Sequence, residues 1–344
     1  MGGQKGVAVF YKYLQKHLPV FLALSNDNKE IDKESSVNIL FPNKLIYLDI
    51  LRINRLKKII KKQGINFIII EHSYPGFIGL ALKRLTGVPF AVHLHNIEAE
   101  RFRQMNRWWW KHYSCYEKWV LQKADLLFFI SEEDREKALK TYHVNEEKCS
   151  VVTYGIEPIN EEVIEPKNES RKILYFNGTL DYLPNKKAVA VLINEIEPRL
   201  KEKKINFVIH ISGANLPKEI EEQLVLHENI KYLGVVENVS EQYKKADLFL
   251  NPVVNDSGVK TKVIEAIACH CPVVSTLSGA SGLNKSVCGE KLIVVTDNDW
   301  EELVNAIILQ LKQPKAPTPD EFFTFYSWDN ITKKAAQSII SFLS

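Results

Sequence analysis

The chain has 344 residues, 45% of them hydrophobic, which is enough for two domains each burying its own core. Lys and Arg number 45 against 42 Asp and Glu, so the net charge of +3 excludes a global attraction for nucleic acid and leaves any preference for anions to local groups. Five scattered cysteines, an odd number, give no disulfide framework and favour a reducing, cytoplasmic setting, and no apolar run reaches the roughly 18–20 residues of a membrane span.

The opening "MGGQKGVAVFYKYLQKH" begins on a glycine turn, Gly2 and Gly3, and passes straight into a helical pattern with Val7, Phe10, Leu14 and His17 on one face. In α/β sheets such a turn normally follows a strand, so that free N–H groups at the helix start face a ligand phosphate. Here no strand precedes it. We expect either that "VFLALS" fills the vacant central place in the first sheet or that roughly ten to twenty residues with an apolar strand lie upstream.

Apolar runs at 20–25, 37–41, 66–71, 89–95, 125–131 and 149–155 read as short buried strands, with helical segments around 45–63, 76–86, 99–123 and 132–142. This is the rhythm of a parallel sheet covered on both faces, a first domain over 1–157. Residues 158–171 carry two prolines and many charges and read as a linker. A second series follows, with strands at 172–178, 206–213, 230–234, 246–252, 272–276 and 291–295 and helices at about 185–203, 218–227, 239–245, 260–270 and 299–312. Residues 313–344 are expected to cross back to the first domain and end in a helix capped by Asp329, with Ile331, Ala335, Ile339 and Leu343 on one stripe. The fold class is therefore α/β: two doubly wound, Rossmann-like domains facing across a cleft at the carboxyl ends of their strands.

Three junctions of the second domain carry polar chemistry. In "NGTLDYLPNKK", Asn177, Gly178 and Thr179 precede a helix start with Asn185, Lys186 and Lys187, a pattern that suits either a phosphate contact or a capped surface turn. "HISGAN" ends a strand at Ser212 and Gly213 and is equally open. In "SGVKTKVIEA", Ser257, Gly258, Lys260 and Lys262 offer positive potential for a diphosphate, and Glu265 can accept two hydrogen bonds from a ribose diol. A plain Lys262–Glu265 helix pair is the alternative. In the first domain, His93 and His95 point to one side of a strand. Zinc would need a third ligand that is not signalled nearby, so we expect no metal, with His95 a neutral hydrogen-bonding group facing the cleft and His93 deeper in the packing. Cys269 and Cys271 read as buried structural thiols, and Asp299 as a helix cap. The basic "LRINRLKKIIKKQG" and the aromatic "RWWWKHYSCYEKW" suit interhelical packing or a peripheral membrane contact.

The stretches "GGQKG", "HNIEAERFR", "ADLLFFISEEDRE", "VVTYGIE", "FNGTLDYLPN", "ADLFLNPVVNDSGVKTKVIEAIACHCPVVST" and "GASGL" together resemble glycosyltransferase family 4, with its two-domain GT-B fold, over essentially the whole chain. That resemblance implies transfer of a sugar from a UDP- or GDP-sugar to a glycan or lipid-linked acceptor, with retention, without a cofactor or catalytic metal, in cell-surface polysaccharide synthesis at the inner face of the membrane. It places Glu265 on the donor ribose, Lys260, Lys262 and the amides near Gly258 on the diphosphate, Gly2 and Gly3 in the glycine loop, and His95 beside the transferred sugar. Ser257 stands where many members carry a second glutamate. A non-catalytic partner protein of the same fold and a nucleotide-sugar epimerase are the alternatives from other classes.

Overall fold

All twelve apolar runs form strands. In the first half these are β1 (Leu22–Ser25), β2 (Ser36–Leu40), β3 (Ile68–Glu71), β4 (Phe90–Leu94), β5 (Leu126–Phe129) and β6 (Cys149–Val151). The second half contributes β7 (Lys172–Asn177), β8 (Phe207–Ser212), β9 (Ile230–Tyr232), β10 (Leu248–Asn251), β11 (Val273–Thr276) and β12 (Leu292–Val295). The computed structural model describes residues 2–26, 35–158, 171–256 and 258–344, so Ser257 and most of the expected linker lie outside the described residues. The chain divides into two units, one of Lys5–Gly155 with Trp328–Ser344 and one of Met1–Gln4 with Ile156–Ser327.

In the first unit, β3, β4, β5 and β6 pair in that order, all parallel. Phe90, Val92, Leu94, Leu127 and Phe129 alternate into a core that Val120 and Leu121 cover from a helix. β1 pairs with β2 in a separate two-stranded sheet, so "VFLALS" does not take a place beside β3. The expected glycine turn is also corrected: a helix already runs from Gly2 to Leu14, and His17 falls in the turn after it. The single helix expected over 99–123 is two, Glu98–Gln104 and Trp110–Lys123, parted at Asn106 in a left-handed conformation. The final helix starts at Trp328, one residue before the expected cap. Trp328 is buried against Gly155, Tyr154 and Phe10, which fixes the helix start, and the Asp329 carboxylate lies 3.3 Å from His17. Its buried stripe holds Ile331, Ala335 and Ile339 but ends short of Leu343, which is 41% exposed.

The second unit is one parallel sheet in the order β12-β11-β10-β7-β8-β9. The helical segment expected over 185–203 carries a π turn at Leu192–Ile196 just before Pro198, which lacks the N–H that would continue the α ladder. The boundary expected at 312/313 lies instead at 327/328. The helix Asp320–Tyr326 holds Phe322 and Tyr326 fully buried, the Tyr326 hydroxyl accepts from the Asn284 amide at 3.0 Å, and Thr318 donates to the Ile267 carbonyl at 2.6 Å. Those bonds keep 313–327 with the second unit.

Candidate functional site

A doubly wound sheet of this order reverses direction between β7 and β10, and the loops that leave such neighbouring strands in opposite directions open a crevice at their carboxyl ends. The loops after β7 and β10 are the two that the sequence singles out. They are tied together: Lys262 Nζ donates to the Asn177 carbonyl at 3.3 Å and to Asn185 Oδ1 at 3.1 Å, lies 4.3 Å from the centre of the Phe176 ring, and Tyr182 donates to Asp256 at 2.9 Å. Burial, then the neighbouring Lys260 charge, pushes the Lys262 ammonium down to about 7. The Asn177 carbonyl, the Asn185 side chain and the Phe176 ring that it touches are neutral dipoles, the Lys260 charge repels it and Asp256 pulls the other way, an arrangement that leaves a cation short of countercharge.

Lys260 differs. It is buried, and its Nζ donates to the Gly258 carbonyl at 2.9 Å and pairs with Asp256 at 3.1 Å, so its charge already serves to close the loop. Gly258 has φ +80, a conformation that glycine adopts without strain. The helix Thr261–Ala268 starts directly after Lys260, and Glu265 lies half-buried in its second turn, near enough to add to the burial that raises the hydroxyl pKa values of Tyr175 and Tyr243.

The remaining expected contacts turn out to be structural in part. The Asn177 side chain donates to the Tyr243 hydroxyl at 2.9 Å, so only its backbone carbonyl faces Lys262. The Thr179 carbonyl accepts from Asn185 at 3.0 Å. At Gly213 a Cβ would come within 1.8 Å of the Gly178 carbonyl oxygen, so this glycine lets the loops after β7 and β8 touch backbone to backbone. The loop "GASGL" after β11 joins the group through Asn251, which donates to the Gly279 carbonyl at 2.6 Å. Cys269 and Cys271 are buried, and burial pushes their thiols up to about 11 and about 12. Asp299 caps its helix by accepting from the Glu302 amide at 2.9 Å.

In the first unit His95 follows β4, and His93, deeper as expected, lies on it opposite Glu71 in the parallel register. Glu71 is the third group the sequence did not signal. His93 Nδ1 lies 3.1 Å and the Tyr11 hydroxyl 2.6 Å from its Oε1, and His95 Nε2 lies 2.7 Å from its Oε2. Burial pushes the Glu71 carboxyl up, but the charge and hydrogen bonds of His93 and His95 outweigh it and hold the group well below the carboxylate range. Two imidazoles and a carboxylate with ligating atoms within 4.8 Å of one another also have the composition of a three-ligand metal site. Here those atoms are joined to each other by hydrogen bonds.

The segment that follows His95 hangs on a second acid. Glu117, fully buried on the helix Trp110–Lys123, accepts from the amides of Glu98 and Ala99 at 3.0 and 3.1 Å, from Ser73 at 2.7 Å and from Tyr142 at 2.9 Å. It therefore caps the helix that begins at Glu98 from outside. The signal for Glu117 was its place on the helix face shared with Tyr113, Val120 and Leu121; for Glu71 it was an acid closing an apolar strand at the carboxyl end.

The profile described as Glycosyltransferase Family 4 matches residues 2–159, and that described as Glycosyl transferases group 1 matches residues 171–313. The chain belongs to the family 4 glycosyltransferases. It is 24% identical over 305 residues to the O-antigen biosynthesis glycosyltransferase WbnH of Escherichia coli, covering 87% of this chain and 83% of that protein. To a UDP-Gal:alpha-D-GlcNAc-diphosphoundecaprenol alpha-1,3-galactosyltransferase of the same organism it is 23% identical over 284 residues, 74% of this chain and 68% of that one. The crystal structure of a glycosyltransferase from Rickettsia africae superposes with a TM-score of 0.74 at 17% identity, covering 100% of this chain and 95% of the other. The fold is thus the GT-B fold of glycosyltransferases.

Proposed function

We propose that this glycosyltransferase moves a hexose from a nucleotide-diphosphate sugar, most simply a UDP-sugar, to a lipid-linked or glycan acceptor in cell-surface polysaccharide synthesis, with retention at the anomeric carbon and without a catalytic metal. The observation that carries this reading is Lys262, a half-buried cation set at the switch point of the second sheet among mostly neutral partners, three residues from Glu265. A diphosphate there would supply the missing countercharge, while the carboxylate of Glu265 accepts from the ribose hydroxyls. As the bond between sugar and phosphate breaks, charge accumulates on the departing diphosphate, and preorganised donors aimed at it lower the barrier. His95 serves as the hydrogen-bonding group for the transferred sugar.

The names of the two Escherichia coli relatives support an O-antigen type of product and, for one of them, a UDP-linked donor and a lipid diphosphate acceptor. A lipid-linked acceptor calls for access to a membrane surface. No helix among the described residues is long and apolar enough to cross one. Trp108 and Leu51 are 83% and 70% exposed, and the latter adjoins the helix Ile53–Gln63 with Lys61 and Lys62 in its last turn, so a peripheral contact is part of the proposal.

Calorimetric titration with UDP, GDP and their sugars, with and without EDTA, tests the donor and the metal. Binding of a nucleotide unaffected by chelator is expected. Absence of binding to any of them would favour a non-catalytic partner protein, and loss of binding in EDTA would remove the metal-free mechanism. The anomeric configuration of the product, read by NMR, tests retention.

A further inference from the structure

We infer that Glu71 is a positioning residue that fixes the tautomer and ring orientation of His95. The inference deepens the proposed function, because His95 acquires a role in transfer only on that reading. Glu71 is held ionised, and an ionised carboxylate can only accept hydrogen bonds. Each partner within reach must therefore donate. Tyr11 does so through a hydroxyl that burial, followed by the Glu71 charge, keeps protonated far above its ordinary range. His93 does so through Nδ1, and His95 through Nε2.

The second nitrogens then follow. His93 Nε2 is buried and has no hydrogen-bond partner among the described residues, so this ring is held by the bond from its Nδ1 to Glu71. His93 thereby acts as a fixed strut on the carboxylate. For His95 the bond to Oε2 means that, whenever the ring is neutral, Nε2 carries the hydrogen and Nδ1 carries the lone pair. A ring so held offers a sugar hydroxyl an acceptor at Nδ1. The ring is also fixed in plane by neighbours, with His72 and His93 centred 4.3 and 4.8 Å away.

Hydrogen-bonding partners of this kind matter chiefly through geometry and tautomer, and their removal typically costs about 10–100-fold in activity. In Glu71→Gln the amide nitrogen must donate, so one of the three donors facing it loses its acceptor. We expect kcat to fall by about 10–100-fold while the dissociation constant for the nucleotide stays within about twofold. Long-range ¹H–¹⁵N spectra of the histidine-labelled full chain, with His95→Gln used to assign the signal, should show His95 as the Nε2–H tautomer in the parent protein. A neutral His95 carrying its hydrogen on Nδ1 would overturn the assignment, as would unchanged kcat in folded Glu71→Gln. So would a stoichiometric metal ion whose removal by chelator shifts the His93 and His95 signals together, because Glu71 would then be a ligand. The parent spectrum decides the tautomer even if the variant does not fold or if no donor is ever transferred, so failure of this inference and failure of the transferase reading are told apart.

Discussion

The two units build polar sites by opposite means. In the second, the switch point holds a cation whose nearest partners are mostly neutral: Lys262 is satisfied by a carbonyl, an amide oxygen and a ring face, and its charge remains available to an anion. In the first, the two acids Glu71 and Glu117 are ringed by donors, although burial still pushes the Glu117 carboxyl up. Glu71 has three donors and Glu117 has four. Undercompensated charge marks a place built to receive a ligand, because its electrostatic cost is relieved on binding. A charge met by several donors marks a place built to hold side chains or backbone in one arrangement. The unit of Glu71 and Glu117 is thus the one in which substitution should damage stability or geometry first, and the unit of Lys262 is the one in which it should damage affinity.

The largest effect that could break this distinction is at Glu117. Glu117→Ala strands the amides of Glu98 and Ala99 in the interior and takes an acceptor from the Ser73 and Tyr142 hydroxyls, which keep Tyr113 and Ser114 as partners, and each buried unsatisfied donor costs about 1–3 kcal/mol. Some will find water, so we expect a loss of about 3 kcal/mol or more in urea unfolding, with nucleotide affinity of the folded fraction unchanged. A loss below about 1 kcal/mol would mean that the acid is dispensable and that the contrast between the units is empty.

How much of this could be read from the chain depended on where the partners come from. The sheet strands were legible because parallel strands buried on both faces read as continuous apolar runs, such as "LLFF" in β5 and "LIVV" in β12. The cation site was legible because Gly258, Lys260, Lys262 and Glu265 lie within one short segment at a strand-to-helix junction. The Glu71 cluster was not, since Tyr11 and Glu71 are 60 residues apart and meet only through the fold. Local features that depend on a single backbone break were also hidden. No proline or glycine marks the break at Asn106, and nothing in "NKLIYLDILR" separates the 3₁₀ stretch from the α-helix after it.

Glu265→Gln sharpens the comparison within the second unit. It exchanges charge-assisted hydrogen bonds to a ribose for neutral ones, so nucleotide binding should weaken by about 1–3 kcal/mol while the melting temperature hardly moves. Equal binding by variant and parent would reduce Glu265 to a structural partner of its own helix and leave the diphosphate lysine as the sole support of the donor assignment.

The smallest effect is the most diagnostic, because it separates a charge awaiting a ligand from one that is merely buried. In the empty site burial, then Lys260, holds Lys262 at about 7, and a diphosphate beside it must raise that value. Below about pH 7 the lysine is protonated in both states and affinity should be flat. Above it the empty protein has lost the proton and the complex must take one up, so affinity should fall with rising pH, by at most about tenfold per unit for one coupled group. The ligand should be a nucleotide-sugar, since its diphosphate is a diester with no titration of its own in this window. Folding runs the other way: the unfolded chain binds this proton up to its ordinary value near 10.4, so the contribution of Lys262 to stability rises with pH between about 7 and 10. Opposite slopes for binding and for unfolding are therefore expected in the parent. In Lys262→Arg, whose guanidinium stays charged, the binding slope should vanish. A parent whose affinity is flat from pH 6 to 9 would show that no diphosphate reaches Lys262, and would move the search for the donor phosphate to other groups at the carboxyl end of the sheet.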